Sequence, residues 1–305
     1  EKPKYIEKIN NFNINDNKIS KKLNKRLLSL LSSPNITSKS YVYNQYDSTV
    51  RTNTVLGPGS DAAIIRVKGT NKGLAISTDC NGRYVYINPR QGAMMAVAEA
   101  ARNVVCTGAK PLAITNCLNF GNPKDLEIYW QFKEAVLGMG EMCKILNTPV
   151  TGGNVSFYNE TFNSAVYPTP VIGMVGLLEN INNYMTMNFK NEGDLIAIIG
   201  NLNPSLGGSS YLKTFYNKVE GPLSLFNPKT EIDVQHLCLD LINHKIINSA
   251  HDVSDGGLIV ALSECIICSC DTLGANVYID NKLRIDELLF GECPSLIIVS
   301  LSEDK

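Results

Sequence analysis

The chain has 305 residues, 44% hydrophobic and 19% charged, a composition that predicts a folded globular protein and excludes an intrinsically disordered one. Its 28 basic and 29 acidic residues leave a net charge of −1, which argues against a nucleic-acid-binding surface and against electrostatic binding to membranes. No apolar run reaches the roughly 18 residues that span a bilayer. The length predicts about two domains.

Residues 1–39 form the first predicted zone, an N-terminal linker rich in lysine and asparagine. An amphipathic pattern from Ile19 to Leu31 predicts one short helix that ends at Ser32-Ser33-Pro34. This helix is interpreted as a linker or as a docking helix for a neighbouring domain. The charged start has neither methionine nor a secretory pattern, so we expect a piece of a longer, cytoplasmic protein.

Residues 40–180 alternate between strand and helix patterns. Period-2 patterns and buried apolar runs predict strands at 61–67, 73–78, 110–118 and 170–178, and period-3.6 patterns predict helices at 91–108 and 127–146. Gly108 stands where a helix C-cap is expected. This alternation predicts an α/β or α+β subdomain.

A polar, irregular stretch near 180–193 separates this zone from the third, at 190–305. The third zone contains a predicted strand at 195–199, a Gly-rich turn at 207–210, helices near 232–247 and from Leu258, and a strand at 296–301. We expect a second α/β subdomain that is incomplete, because the chain stops just after a strand.

The nine cysteines are an odd number and most have apolar neighbours. We therefore expect free thiols in a reducing compartment and no disulfide framework. Cys265, Cys268 and Cys270 are close enough in sequence to suggest metal ligands, but a closed zinc site needs a fourth ligand. The cluster ends a stretch typical of a buried helix, and burial is the favoured interpretation.

The segment 149–156 (PVTGGNVS) is the sharpest candidate for a binding loop. Its paired glycines, Gly152 and Gly153, let a backbone approach a phosphate closely. Asn154 offers a carbonyl oxygen to Mg²⁺, and Ser156 can donate to an anion. An ordinary turn explains these residues equally well. The chain has no P-loop motif and no G-x-G-x-x-G sequence that opens a helix.

Acidic residues at predicted strand ends form a second candidate constellation: Asp61, Asp79, Asp252 and Asp255. Carboxylates beside Gly-rich loops suit the binding of a Mg²⁺-nucleotide, but they also suit turns and helix N-caps. Asp255 precedes two glycines and an apolar helix, so capping is its favoured role.

Histidine adds little to these candidates. His236 and His244 have surface-like neighbours on a predicted helix, and His251 could touch a ligand but has no nucleophile to pair with.

Eight segments, taken together, resemble the phosphoribosylformylglycinamidine synthase family. They run in order along the chain: QYD (45–47), GPGSDAAIIRVKGT (57–70), STDCNGRY (77–84), AVAEAARNVVCTGAKPLAITNCLNFGNP (96–123), TPVTGGNVSFYNET (148–161), YPTPVIGMVG (167–176), HDVSDGGL (251–258) and LFGECPS (289–295). The phrases CLNFGNP and GGNVSFYNET are too long for chance agreement.

The resemblance implies a fold and a set of partners. The family joins two related halves, each with the two α/β subdomains of the aminoimidazole ribonucleotide synthetase superfamily, and this chain resembles the second half. It lacks the first half's histidine-bearing motif and a glutaminase domain. The implied partners are the first synthetase half, a glutaminase domain or subunit, and, for the fragment alone, a second copy that pairs with its exposed strand edge.

The resemblance also implies a reaction and site residues. The family uses ATP and glutamine to convert formylglycinamide ribonucleotide into the amidine, an ATP-dependent carbon–nitrogen ligation in purine biosynthesis. Carried over to this sequence, it places Asn116 and Gly153 at ATP, Asn154 at Mg²⁺ and Ser156 at the substrate. Asp79 and Asp252 are weaker metal candidates, and the catalytic base belongs to the other half, so the isolated fragment is expected to be inactive.

Two alternatives stay open at this stage. This half could be chiefly structural and hold a nucleotide that never turns over, because Asn116 stands where the family typically has aspartate and no catalytic histidine is present. The chain could also be a sister enzyme, such as aminoimidazole ribonucleotide synthetase or a small-molecule kinase, although CLNFGNP argues against that.

Overall fold

The computed structural model describes residues 2–162, 164–269, 273–280 and 282–304. Its elements up to the end of the large sheet are α1 (Tyr5–Asn10), α2 (Leu23–Leu31), α3 (Ser40–Tyr43), β1 (Thr54–Leu56), β2 (Ala63–Arg66), β3 (Gly73–Asp79), α4 (Gly82–Ile87), α5 (Pro89–Cys106), β4 (Lys110–Asn119), α6 (Leu126–Leu146), β5 (Val150–Ser156), β6 (Glu160–Thr161), β7 (Ser164–Ala165) and β8 (Thr169–Leu178). The elements that follow are β9 (Leu195–Ile199), α7 (Ser210–Tyr216), α8 (Pro228–Asn243), β10 (Ile247–Asp252), α9 (Leu258–Ile267), α10 (Ile285–Phe290) and β11 (Ile297–Leu301). Short 3₁₀ turns lie at Ile14–Asp16, Val50–Thr52 and Ile181–Asn183.

The first unit is a six-stranded sheet in the order β1-β2-β3-β8-β4-β5. Only β4 and β5 pair in parallel, and the other neighbours are antiparallel. Helices α5 and α6 pack with one face of the sheet in a shared apolar core. Helix α5 can approach β8 closely because Gly176 has no side chain; a Cβ there would collide with Val104. The opposite face is half-buried or exposed and carries Leu74, Ile76 and Val175.

The second unit is a three-stranded antiparallel sheet in the order β10-β11-β9. One apolar core joins this sheet to α8 and to the last turn of α5, through Val105 and Cys106. A second core joins it to α9. Helix α5 therefore belongs to the cores of both units. The mixed architecture confirms the predicted α/β fold class with two subdomains.

Several predicted elements are confirmed, but one predicted helix has different bounds, one strand was not predicted, and one predicted loop was wrong. The helix near 232–247 begins earlier, because Asn227 caps it and Pro228 occupies its first turn. It ends at Asn243, and β10, which the sequence pattern did not indicate, follows it. The segment 149–156 is not a loop but mostly strand β5, since its backbone pairs with β4. The domain boundaries at 39, 180 and 190 stay predictions.

The cysteines of the described residues are all free thiols. Cys265 is buried in the core beside α9, Cys268 is exposed, and Cys270 lies outside the described residues. Within the described part of the chain, no group of three or more His, Cys, Asp or Glu side chains is arranged to hold a metal ion. No described helix is long and apolar enough to cross a membrane.

The N-terminal segment contacts both units. The Tyr5 ring stacks on Tyr86 of α4 at 4.2 Å, and the Gln131 amide of α6 donates to the Tyr5 hydroxyl at 2.6 Å. On the second unit, Arg284 donates to the Ile14 carbonyl at 2.7 Å. The helix predicted from Ile19 is the shorter α2, whose Leu30 is fully buried in an apolar cluster with α7, α9 and α10.

A buried guanidinium joins the two units. Arg102 of α5 donates through Nη1 to both carboxylate oxygens of Glu231 on α8, at 2.9 and 2.8 Å, and through Nε to Asp252 on β10. Glu231 also accepts from Gln235, at 2.7 Å, and from Ser295, at 2.6 Å. Glu231 and Asp252 both belong to the second unit, so these two ion pairs fix the orientation of that unit relative to α5.

Replacing Arg102 with methionine should lower the free energy of unfolding by about 3–5 kcal/mol, because it leaves two buried carboxylates without a cation. Urea denaturation measures this change. Arg90→Met is the matched control, since Arg90 pairs with Glu141 at the exposed surface of the same helix, where an ion pair contributes little. Equal losses in both variants would contradict a special role for Arg102.

Candidate functional site

The candidate residues lie on two neighbouring strands at one edge of the large sheet. Strand β5 is the edge strand, and every residue from Val150 to Val155 is exposed. Its register with β4 places Gly153 beside Asn116, Asn154 beside Cys117 and Ser156 beside Asn119. The structure therefore brings all four residues implied by the resemblance into one small region.

Asn116 and Gly153 depend on each other sterically. A Cβ at Gly153 would lie 2.6 Å from the main-chain oxygen of Asn116 and would also collide with the Asn116 side-chain oxygen. The Asn116 amide therefore occupies the space that glycine leaves open. Its nitrogen lies 3.9 Å from the sulfur of Met139 on α6, which places it on the helix-covered face. A Cβ at Gly152, by contrast, would meet no neighbouring atom within 4 Å.

Asn154 and Ser156 lie on the opposite, open face, because successive strand residues alternate between faces. The Asn154 side chain makes no hydrogen bond with a described residue, so its carbonyl oxygen is available to a cation. The Ser156 hydroxyl lies 3.2 Å from Nδ2 of Asn159. That same amide also donates to the main-chain oxygens of Ser156 and Phe120, each at 3.0 Å. Asn159 is thus a positioning residue that the sequence analysis did not identify.

The four residues consequently lie on both faces of the β4–β5 pair. A ligand can reach both faces only by passing around the outer edge of β5, which is exposed. Main-chain groups along that edge are free for a phosphate or a nucleotide to contact. The arrangement contains amide, hydroxyl and main-chain groups, and no titratable side chain among the four.

The acidic candidates are separate from this edge and lie between the two units. Asp79 accepts from the Asn103 amide at 3.1 Å. Loss of contact with water, and then the charges of Asp252 and Asp255, raise the pKa of Asp79 to about 8. Asp252 is paired with Arg102, so its carboxylate is already engaged. The assignment of Asp79 and Asp252 as metal ligands stays a prediction.

The predicted capping role of Asp255 is wrong. Helix α9 begins after Gly257, whose positive φ of 76° makes the turn, and no side chain caps it. Asp255 instead accepts from Arg83 and from Asn81, both at 3.1 Å. Both donors belong to the turn that enters α4, so Asp255 joins the two units. Because Arg83 and Asp255 are 172 residues apart, no local sequence pattern indicates that they are in contact.

His251 is also a contact between the units. Its Nδ1 lies 2.9 Å from Asp61 and its Nε2 lies 3.2 Å from Glu264 of α9. Burial lowers the pKa of His251, but the two carboxylates outweigh it and raise that pKa well above its ordinary value. His251 and Asp61 therefore act as a structural ion pair within the described chain.

Replacing Asp79 with asparagine should change how stability depends on pH. An unfolded aspartate has a pKa of about 3.9, so between about pH 4 and pH 8 the folded chain keeps a proton that the unfolded chain has lost. Wild-type stability therefore falls as pH rises through this window.

The Asp79→Asn variant should lose that fall and become relatively more stable toward pH 8. Urea denaturation between about pH 5 and pH 8.5, with chelator present, measures the difference. Asp233→Asn, which changes an exposed carboxylate, is the control. A constant difference between Asp79→Asn and wild type at every pH would show that Asp79 is ionised in the folded chain.

Comparison with known families matches both units. Residues 59–178 match the AIR synthase related protein, N-terminal domain, and residues 191–305 match the AIR synthase related protein, C-terminal domain. Together these matches cover more than half of the chain.

The sequence is also similar to longer proteins. It is 52% identical over 278 residues to phosphoribosylformylglycinamidine synthase subunit PurL of Moorella thermoacetica, covering 91% of this chain and 38% of that protein. It is 47% identical over 305 residues to the same subunit of Thermoanaerobacter sp., covering 100% of this chain and 41% of that protein. The chain thus spans about two fifths of the length of these relatives.

Solved structures agree on the fold. T. maritima PurL complexed with FGAR superposes with a TM-score of 0.70 at 15% identity, covering 94% of this chain and 46% of that one. T. maritima PurL complexed with ATP superposes with a TM-score of 0.60 at 22% identity, covering 88% and 38%. The chain belongs to the AIR synthase related family, and within that family its sequence is similar to PurL, the subunit of phosphoribosylformylglycinamidine synthase.

Proposed function

We propose that this chain is the second half of a phosphoribosylformylglycinamidine synthase and supplies part of its ATP, Mg²⁺ and substrate site. The observation that carries the proposal is the convergence of Asn116, Gly153, Asn154 and Ser156 at the exposed edge of β4 and β5. The relatives, at about half identity, support the reaction class. The product belongs to purine biosynthesis.

The proposed reaction joins nitrogen to carbon at the expense of ATP. The amide oxygen of formylglycinamide ribonucleotide attacks the γ-phosphorus, and ADP leaves. Ammonia from glutamine then adds to the carbon of the phosphorylated amide, and inorganic phosphate leaves to give the amidine. Because charge accumulates on the phosphoryl oxygens, positioned amide and hydroxyl donors lower the barrier.

Each residue at the edge has a distinct proposed role. Asn116 and the main chain of Gly153 contact ATP, and the Ser156 hydroxyl, held by Asn159, contacts the substrate. The free carbonyl oxygen of Asn154 fits Mg²⁺, which prefers oxygen ligands and would neutralise phosphoryl charge when bound. One amide oxygen is too few for a complete site, so ATP phosphates or another part of the enzyme must supply the other ligands.

The open face of the large sheet supports the proposed partner. Apolar side chains such as Leu74, Ile76 and Val175 remain half-buried or exposed there, and a large apolar surface of this kind marks an interface. The proposed occupant is the first synthetase half, which brings the acid–base residue that this edge lacks. The isolated chain should therefore be inactive, and a glutaminase domain or subunit would supply ammonia.

A second candidate function is a half that holds a nucleotide without turning it over. It is favoured by the absence of a titratable side chain among the four edge residues and by the neutral Asn116. The two functions differ in nucleotide exchange. Radiolabelled ATP that enters the site at the rate of turnover supports the catalytic role, whereas co-purified nucleotide that stays bound through many turnovers supports the structural one.

Gly153→Ala should weaken Mg²⁺-ATP binding by about tenfold. The new Cβ would displace the Asn116 amide, which would then lose its proposed hydrogen bonds to ATP. Isothermal titration calorimetry of the full-length polypeptide measures this affinity. Gly152→Ala is the matched control, since a Cβ at Gly152 meets no atom within 4 Å. Unchanged affinity in Gly153→Ala would remove Asn116 and Gly153 from the ATP site.

Ser156→Ala should raise the KM for formylglycinamide ribonucleotide by roughly fivefold in the full-length enzyme, because one hydrogen bond to the substrate is lost. Steady-state kinetics at saturating ATP and ammonia give the value. Ser263→Ala is the control: its hydroxyl donates to the Ile259 carbonyl within α9. A KM that matches wild type would withdraw the assignment of Ser156 to the substrate.

A further inference from the structure

The side of α6 that faces away from the sheet carries a stripe of exposed apolar side chains and lysines. Each residue of an α-helix advances by about 100°, so one sector of similar width contains Leu126, Tyr129, Lys133, Val136, Leu137, Gly140 and Lys144. We call this sector the outer stripe. Its four large apolar side chains are 61%, 53%, 38% and 44% exposed, in chain order. Apolar side chains that are exposed together, rather than singly, are typical of an interaction surface.

The charged residues of α6 are segregated around the outer stripe. The glutamates recur at seven-residue intervals beside it, at Glu127, Glu134 and Glu141. Glu134 and Glu141 pair with Arg90 of α5, at 3.7 and 2.9 Å, so the acidic flank is directed toward α5. Among the described residues, none pairs with the side chain of Lys133 or Lys144. The outer stripe therefore carries positive charge that this part of the chain does not compensate.

Gly140 leaves a hollow in the outer stripe. Glycine destabilises the interior of a helix, and packing explains its presence only at Gly138, where a Cβ would collide with the main chain of Arg90. A Cβ at Gly140 would meet no atom within 4 Å. The residues one turn earlier, Val136 and Leu137, are exposed. A hollow beside apolar side chains can receive a side chain of a facing helix, as in knobs-into-holes packing.

We propose that the outer stripe binds an acidic amphipathic helix of a second, different protein. The apolar residues of that helix would pack on the exposed apolar side chains of α6, and one of them would enter the hollow at Gly140. Its carboxylates would pair with Lys133 and Lys144, which lie about 16 Å apart along the helix axis. Charge complementarity of this kind selects the partner and its register.

Two other occupants fit the outer stripe less well. A second copy of this chain would bring lysine against lysine, because the outer stripe has no carboxylate of its own. The first synthetase half has its proposed place on the opposite face of the large sheet, which α5 and α6 do not cover. The inference does not depend on the roles proposed for the residues at the β4–β5 edge.

The test is fluorescence anisotropy of a labelled synthetic helix titrated with the full-length polypeptide. The probe has about 21 residues, enough to span the outer stripe, with leucine at heptad positions a and d and glutamate at e and g. The control probe has lysine in place of every glutamate. We expect saturable binding of the acidic probe alone, and added salt should weaken that binding.

Variants of exposed residues identify the binding surface without disturbing the core. Lys133→Glu should weaken binding of the acidic probe about tenfold, because an attraction becomes a repulsion. Leu137→Ser should weaken it about fivefold, because an apolar contact is lost. The matched controls are Lys25→Glu and Leu28→Ser, which change exposed residues of α2 and should bind as wild type does. Absence of binding, equal binding of both probes, or equal losses in the α2 variants would each overturn the proposal.

Discussion

The buried guanidinium of Arg102 is the interaction on which the arrangement of this chain depends. It lies on α5, which contributes to the apolar core of each unit, and it pairs with carboxylates of α8 and β10. An unpaired charge at that depth would cost several kcal/mol, so the two units are constrained to the one orientation in which Glu231 and Asp252 both reach it. Other contacts between the units, such as His251 with Asp61 and Arg83 with Asp255, add to this constraint.

Fixing the two units determines where binding groups can lie. Strands β3, β4 and β5 all run in the same direction, because β3 and β4 are both antiparallel to β8 and β5 is parallel to β4. Their carboxyl ends therefore meet at one end of the sheet. Gly153, which is proposed to contact ATP, lies on β5, the outermost of these three strands. At this end Asn81 and Arg83, which follow β3, contact Asp255 of the second unit.

The sequence predicted those features whose cause is local. The apolar run of β9 and the periodicity of α6 located both elements within a residue of their bounds. The run at β9 indicated a strand correctly, although Leu195 and Ala197 are exposed. Strand β5 was taken for a loop because glycine and asparagine are rare in strands, and here they are tolerated at an exposed edge. Strand β10 (INSAHD) has few apolar residues, and it is buried by pairing with β11 and by packing in the core with α8 and α5.

The candidate site was only partly predictable. The resemblance located Asn116, Gly153, Asn154 and Ser156, but it gave no indication that they divide between the two faces of the β4–β5 pair. The partners of Arg102 lie 129 and 150 residues away in sequence. Asp255 is a contact of the same long-range kind, and its local context pointed to the wrong role. Such pairs become visible only when the fold brings them together.

The most direct test of the nucleotide edge is hydrogen–deuterium exchange of the full-length polypeptide with and without Mg²⁺-ATP. The account predicts slower exchange in peptides that cover 114–119 and 150–159, where the main chain of β5 gains a ligand. Protection confined to 207–210 and 251–257, with 150–156 unchanged, would contradict it and would place the nucleotide between the two units instead.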